Sequence, residues 1–236
     1  SGGRSAAGAA AAIAISANFS SANLTGANFS SCWLVGANFT SATLTNANFR
    51  GIPDDNSNLR NAVFTDAVIT GANFKNTTAF GWVAAQLYST ASYASGNLSA
   101  VDLESNDLTG WNFAGQGLTS SNFTTSTIVN ANFADADLRG AVGWTPVQST
   151  TTTNTIRPDG SIQGLALGAH ETLIVRNFPR TITANTSANF DPQSTLQLQL
   201  ADSWGSTIHF AQGVTPALGG TLDLEFSAGV DPTTLI

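Results

Sequence analysis

A large apolar residue returns at every fifth position from Phe19 onward, and that spacing suits neither regular element of secondary structure. Phe19, Leu24, Phe29, Leu34, Phe39, Leu44 and Phe49 keep strict phase, and a small residue stands two places before each: Ala17, Ala22, Ala27, Cys32, Ala37, Ala42 and Ala47. On an α-helix this period would walk the apolar side chains around the axis, because the helix repeats every ~3.6 residues. On a flat strand it would throw them onto alternating faces. Within a unit, however, the small and large residues are two apart and share one side of a short extended piece. A corner between units must then restore the direction, so the chain turns repeatedly about an axis.

The pattern survives an interruption. In GIPDDNSNLR, Asp54 stands where an apolar residue is due, yet Ile52 fills the small slot, Pro53 suits a corner, and Leu59, Phe64, Ile69 and Phe74 resume the phase. Pro53–Asn56 reads as a local bulge. The adjacent acids Asp54 and Asp55, without further spaced oxygen ligands, make a poor calcium loop. Ala79–Ser95 breaks the repeat, and Trp82, Val83, Leu87 and Tyr88 fall at roughly helical spacing, which predicts a short helix or an irregular excursion. A second block comes next: Leu98, Leu103, Leu108, Phe113, Leu118, Phe123, Ile128, Phe133 and Leu138, one residue out of phase with the first. Its small slots (Val101, Asn106, Trp111, Gln116, Ser121) are less regular, so less uniform packing is expected there.

These units resemble the pentapeptide-repeat family, whose motif is A-(D/N)-L/F-x-x, in near-consecutive copies over roughly 105 of the 236 residues. The resemblance implies an all-β fold, a right-handed quadrilateral β-helix with four pentapeptides per coil and coils ~4.8 Å apart. Residues twenty apart would then stack: Phe19, Phe39 and Leu59 on one face, Leu24, Leu44 and Phe64 on the next. Outward Asn18, Asn38 and Asn58 would form a ladder of amides.

After Trp144 the composition changes. A Thr-rich connector leads to strand-like runs at Ser161–Leu167, Glu171–Arg176, Thr195–Leu200, Thr207–Phe210 and Thr221–Phe226, punctuated by Pro and Gly. Thr221, Asp223 and Glu225 alternate with Leu222, Leu224 and Phe226, which predicts one wet face. A β-sandwich-like or β-helical segment is expected. The organisation read from sequence is therefore an Ala/Gly-rich arm over residues 1–16, a solenoid over 17–143 with its insert at 79–95, and a C-terminal β domain over 144–236. TIRPDGSIQGLALGAHETLIVRNFP and LGGTLDLEF resemble the C-terminal regions of secreted, planctomycete-type bacterial proteins that carry a PEP-CTERM sorting signal. No PEP motif, anchor or basic tail stands before Ile236, so surface sorting rests on that resemblance alone.

Charged residues make up only 10% of the chain, against about 25% in an ordinary soluble protein. The uncharged-polar surface this implies is typical of extracellular proteins. The net charge of −7 comes almost wholly from beyond Asp102, and no basic patch exists to hold phosphate backbones. Nucleic acid is thus not an expected partner. Cys32, the single cysteine, allows no internal disulfide and reads as a buried, inert thiol. Ala6–Ile15 is shorter than the ~20 apolar residues of a membrane span, and without a clear basic n-region it does not read as an intact signal peptide.

Searching for chemistry returns no catalytic, cofactor or metal residue. His170 and His209 are the only histidines, and His170–Glu171 reads as a turn with a solvated face. No GxSxG, HExxH, CxxC or Walker loop is present. Asp102, Glu104 and Asp107 form the densest acidic group, with Asp102 and Asp107 outward on adjacent faces, and read as solvated surface. N-x-S/T sequons begin at Asn18, Asn23, Asn28, Asn38, Asn76, Asn97, Asn122 and Asn185, most of them restating the repeat. If the chain carries sugars, they would sit on these outward faces.

The function expected on these grounds is that of a non-enzymatic extracellular structural protein, self-associating through its solenoid ends and terminal arm into a fibre or surface layer. AAIAIS in the arm could add a strand to another copy. The alternative is a surface-displayed module binding glycans or another ligand, with outward Trp33 as its best contact. DNA mimicry, used by some pentapeptide proteins against DNA gyrase, needs a continuous anionic face, and the first block is close to neutral.

Overall fold

The computed structural model describes residues 13–30, 32–51, 58–200, 207–217 and 219–226. The expected arm as far as residue 12, Ile52, and the expected Pro53–Asn56 bulge with Asp54 and Asp55 lie outside them.

Each five-residue unit forms one side of a four-sided coil. The outward residue bridges to the next coil in parallel, as in Asn18↔Asn38, Asn23↔Thr43 and Asn28↔Asn48. The corner then closes by a hydrogen bond from the Ala22 N–H to the Phe19 carbonyl at 3.1 Å. Its third residue is left-handed, with φ of 57° at Ser21 and 69° at Gly26, as a type II turn requires. Outward Asn side chains brace the same corner. Asn38 Oδ1 accepts from the Thr40 N–H at 3.0 Å and from Thr40 Oγ1 at 2.6 Å. This local bond explains the repeat's preference for Asn or Asp followed two places later by Ser or Thr.

Inside, phenylalanines stack along the axis. Phe19 lies over Phe39 at 5.1 Å, and Phe39 over Phe64 at 5.2 Å, while a parallel column runs through Phe29, Phe49 and Phe74. Stacking at twenty residues therefore holds for Phe19 and Phe39 but not beyond. Phe64, not Leu59, follows Phe39, because the bridge offset grows from 20 (Asn18↔Asn38) to 25 (Asn38↔Val63) across the interruption. One whole pentapeptide's length is absorbed between Phe49 and Asn58. The expected Asn18–Asn38–Asn58 ladder is corrected in the same way: Asn58 bridges Trp33, and the side-chain amide ladder is instead the 3.1 Å bond from Asn48 Nδ2 to Asn28 Oδ1.

The insert is not an excursion away from the coil. A 3-10 turn at Thr78–Phe80 and two short helices, α1 (Ala84–Tyr88) and α2 (Ala91–Ala94), take the place of two coil sides. The Leu59 N–H donates to the Phe80 carbonyl, the Asp66 N–H to the Ser89 carbonyl and the Ala91 N–H to the Ala67 carbonyl. Gln86 Nε2 adds bonds to the Leu59 and Ala62 carbonyls. Trp82 lies flat on Phe74 at 4.5 Å, sealing the aromatic column. Asn73 then bridges Asp102, an offset of 29, nine more than a regular coil. Nine is one short of two repeats, which produces the one-residue phase shift of the second block.

The ladder continues past Trp144 through Asn132↔Thr151 and Asp137↔Ile156. Beyond it the coil becomes three-sided. Strands β1 (Ser161–Ile162), β4 (Ile182–Ala184) and β7 (Ile208–Phe210) form one parallel sheet. Strands β2 (Leu165–Leu167) and β5 (Ala188–Phe190) form the second, and β3 (Thr172–Arg176), β6 (Thr195–Leu200) and β8 (Thr221–Phe226) the third. Thr172 pairs with Thr195 and Thr195 with Thr221, so the coils lengthen from 23 to 26 residues. Of the two C-terminal architectures expected, this is the β-helical one. β4 and β5 escaped the sequence reading because three-residue strands in TITANTSANF show almost no alternation. Leu165, Leu173, Val175 and Ile182 fill the core of this part.

Candidate functional site

The ionisable residues singled out from sequence sit apart. His170 is a left-handed turn residue (φ 65°) whose N–H donates to the Gln193 carbonyl, and the Glu171 carboxylate caps the Gly168 N–H at 2.8 Å. His209 faces Thr183 in the first sheet. Cys32 is only half-buried, because it belongs to the first described coil, where the core is open on one side. Burial still pushes its thiol upward. Among the described residues, no cluster of His, Cys, Asp or Glu is arranged to hold a metal ion.

The acidic group divides by face. Lys75 Nζ meets Glu104 Oε1 at 2.5 Å, and Asn122 Nδ2 donates to the other Glu104 oxygen at 3.3 Å. The Lys75 bond holds the Glu104 carboxyl below its usual range. Asp102 beside it is half-buried, and burial, then the Glu104 charge, raises its carboxyl. Asp107 stands elsewhere: its Oδ1 accepts from the Thr109 hydroxyl and N–H, which lowers its carboxyl. Solvated surface therefore describes Asp107 and not Asp102.

One charged pair went unseen in the sequence. Asp137 and Arg139 are outward positions flanking Leu138, yet both side chains are fully buried and paired at 2.6 Å. The segment after β3 folds over them. Arg139 donates to the carbonyls of Arg176 (2.6 Å), Arg180 (3.1 Å) and Phe178 (3.4 Å), with its guanidinium 5.5 Å from the Phe178 ring. A bidentate pair capped by carbonyls satisfies the arginine's fork of donors. Opposite charges two apart were the available signal; nothing in the sequence showed that residues 176–180 would cover them.

Most of the sequons become corners. Asn28 and Asn97 accept bonds from the hydroxyls of Ser30 and Ser99 at 2.7 and 2.5 Å, so in these units the sequon spells a turn. Trp33 is exposed and lies in the ladder between Ile13 and Asn58.

The ends of the solenoid remain. At the N-terminal end Ile13 is 75% exposed, and the backbone edge of Asn18, Asn23 and Asn28 has no further coil beyond it among the described residues. At the other end β7 and β8 are edge strands. The inward column there runs out into the open: Leu173 is 1% exposed, and Leu222, two coils on, is 60% exposed. The alternation in β8 therefore does not give a dry face, since all six of its residues are exposed.

Residues 22–52 and 55–78 match the pentapeptide repeats family in eight copies. Among solved structures, HetL, a pentapeptide repeat protein involved in heterocyst differentiation regulation from the cyanobacterium Nostoc, is 20% identical over 65% of this chain, with a TM-score of 0.25. The likeness spans 62% of HetL's own length. Full-length QnrB1, a plasmid-mediated fluoroquinolone resistance protein, is 11% identical over 92% of this chain and 91% of its own, with a TM-score of 0.22. No curated protein matches the chain. No catalytic family is indicated by these matches.

Proposed function

We propose, for a chain built on pentapeptide repeats, that it is a non-enzymatic extracellular structural protein which associates with copies of itself through its solenoid ends. The observation that carries this reading is the state of those ends. Both described terminal coils pair exposed large apolar residues, Ile13 and Ile15 at one end and Leu222, Leu224 and Phe226 at the other, with strand edges that have no neighbour among the described residues. Open parallel edges beside apolar surface favour pairing with another chain. The low charge content, and the resemblance of the C-terminal stretches to secreted planctomycete-type proteins, support an extracellular setting.

The two ends differ in cross-section, four-sided with 20 residues per coil against three-sided with 26. Like ends therefore fit each other better than unlike ends. Such contacts are isologous, so use of one end closes a dimer and use of both extends a fibre of alternating polarity. The arm over residues 1–16 belongs to the N-terminal contact in this scheme. Light scattering and electron microscopy test it. Wild-type chain is expected to form fibres, Ile13→Lys with Ile15→Lys to stop at dimers, and further Leu222→Lys with Leu224→Lys to give monomers. A wild-type chain that stays monomeric at its highest soluble concentration overturns the reading.

A further inference from the structure

Replacing two coil sides with helices leaves a cleft of about 660 Å³ between the insert and the second block, a volume within the range of small-ligand sites. Two nearly buried indoles underlie it. Trp82 and Trp111 lie 5.0 Å apart and tilted by 59°, and are 2% and 7% exposed. One wall is apolar and comes from the insert: Ala79, Ala84 and Val83, the last 52% exposed. The facing wall carries hydroxyls and one carboxylate, from Ser105, Asp107, Thr109, Thr125 and Thr127.

The polar wall is fixed before any ligand arrives. The Asp107 N–H donates to Thr78 Oγ1 at 3.0 Å, and the Thr78 N–H donates to Asn106 Oδ1 at 2.9 Å, which ties the wall to the insert. Ser105 and Thr125 share a 2.8 Å hydroxyl bond. Asp107 uses Oδ1 for both bonds from Thr109, which hold its carboxyl below the usual range, so Oδ2 is left to accept from a ligand.

We propose that this cleft binds a neutral saccharide. A sugar presents vicinal hydroxyls along one edge and a C–H surface across its face, and the cleft offers hydroxyl and carboxylate partners together with the apolar Ala79, Val83 and Ala84. Other ligand classes fit less well. Among the described residues, no Lys, Arg or His lines the cleft to receive an anion. A single carboxylate does not hold a divalent cation. A quaternary amine needs open aromatic faces around it, and here the two indole rings are nearly covered. The proposal is independent of self-association: the cleft lies mid-solenoid and keeps its lining whether or not the ends pair.

The test is titration of the full chain with cellotetraose, chitotetraose and mannotetraose, followed by calorimetry and by the tryptophan indole N–H signals in NMR. At least one oligosaccharide is expected to bind and to shift the Trp82 and Trp111 signals while leaving Trp144 unmoved. Asp107→Ala should weaken that binding at least tenfold. Val83→Glu, at an exposed position whose change does not threaten folding, should weaken it as well. Choline chloride and inorganic phosphate are expected to leave both indole signals in place. If none of the oligosaccharides shifts them, or if choline alone does, the proposal fails.

Discussion

The two repeat blocks solve the same packing problem with different chemistry. In the first block the slot two places before each central residue is almost always Ala, fully buried at Ala37, Ala42 and Ala47. In the second the equivalent slots hold Asn106, Gln116 and Ser121, equally buried. The polar replacements survive because the corner carbonyl above them has a second lone pair to offer. Ser121 Oγ donates to the Leu98 carbonyl at 3.0 Å and Ser126 Oγ to the Leu103 carbonyl at 2.6 Å; Thr150 and Thr155 repeat the bond to Ile128 and Phe133. Asn106 goes further, donating to the Phe74 and Leu103 carbonyls while accepting from the Thr78 N–H, and so fastens the insert to the coil. The repeat therefore demands a large apolar centre, while its small slot also admits polar groups that find a partner; Gln116 does so through Nε2 on the Tyr93 carbonyl, its Oε1 being buried without one.

Four measurements bear on this contrast. The largest effect belongs to the shared demand for a centre. Phe49→Ala, in the closed part of the stack, should cost about 3–5 kcal/mol in denaturant unfolding. Phe19→Ala should cost clearly less, since Phe19 is only partly buried in the end coil; equal costs would mean that the end is covered in solution. Next comes a pair at matching outward positions. Arg139→Ala leaves Asp137 buried without its partner, a loss of about 3–5 kcal/mol, whereas Arg50→Ala on an exposed corner should fall within about 0.5 kcal/mol. Similar thermal shifts in both variants would show that the 176–180 segment does not cover the pair.

Smaller again is the polar slot itself. Asn106→Leu strands the Thr78 N–H, while the Phe74 and Leu103 carbonyls keep their bonds from Thr77 Oγ1 and Ser126 Oγ; it should destabilise by about 1–3 kcal/mol, read as a loss of hydrogen-exchange protection at the insert before the rest of the solenoid. The smallest effect is on pH dependence, where the second block outweighs the first because, among the described residues of the two, it holds the perturbed acids. The lowered Asp107 and Glu104 carboxyls lend stability above their unfolded pKa values that is lost as pH falls through their folded ones. The raised Asp102 carboxyl acts oppositely, withdrawing stability as pH rises through its range. Asp107→Asn should thus flatten the acid limb of a stability–pH curve and Asp102→Asn the limb above it. Reversed effects would contradict the assigned causes.

The repeat was legible because its signal is local: centre, small slot and corner all fall within five residues. Features that depend on whole coils were not. Phase within five residues is blind to which side of the coil a residue occupies, so Leu59 looked like the successor of Phe39 when Phe64 is. The insert announced its helices through Trp82, Leu87 and Tyr88, but not that they would stand in for two coil sides. In the C-terminal part, Thr195–Leu200 and Thr221–Phe226 were read to the residue, while β4 and β5 are too short to show a period. Along the sequence, Trp33 is the outward aromatic that stands out, and no chemistry-bearing residues cluster. The cleft lay hidden because its walls come from segments more than twenty residues apart, joined only by the irregular coil.

The 25-residue step between Asn38 and Val63 has a further consequence. A chain that counts in fives can gain one whole unit and keep every inward side chain inward, the downstream sides still stacking on the same sides of the coil before, as Asn38↔Val63, Thr43↔Val68 and Asn48↔Asn73 do. Any other length would turn core residues outward unless, as with the nine extra residues of the helical insert, folded structure made up the difference. The stretch between Phe49 and Asn58 is accordingly a natural splice point, at which segments in multiples of five can be exchanged without rewriting the core on either side.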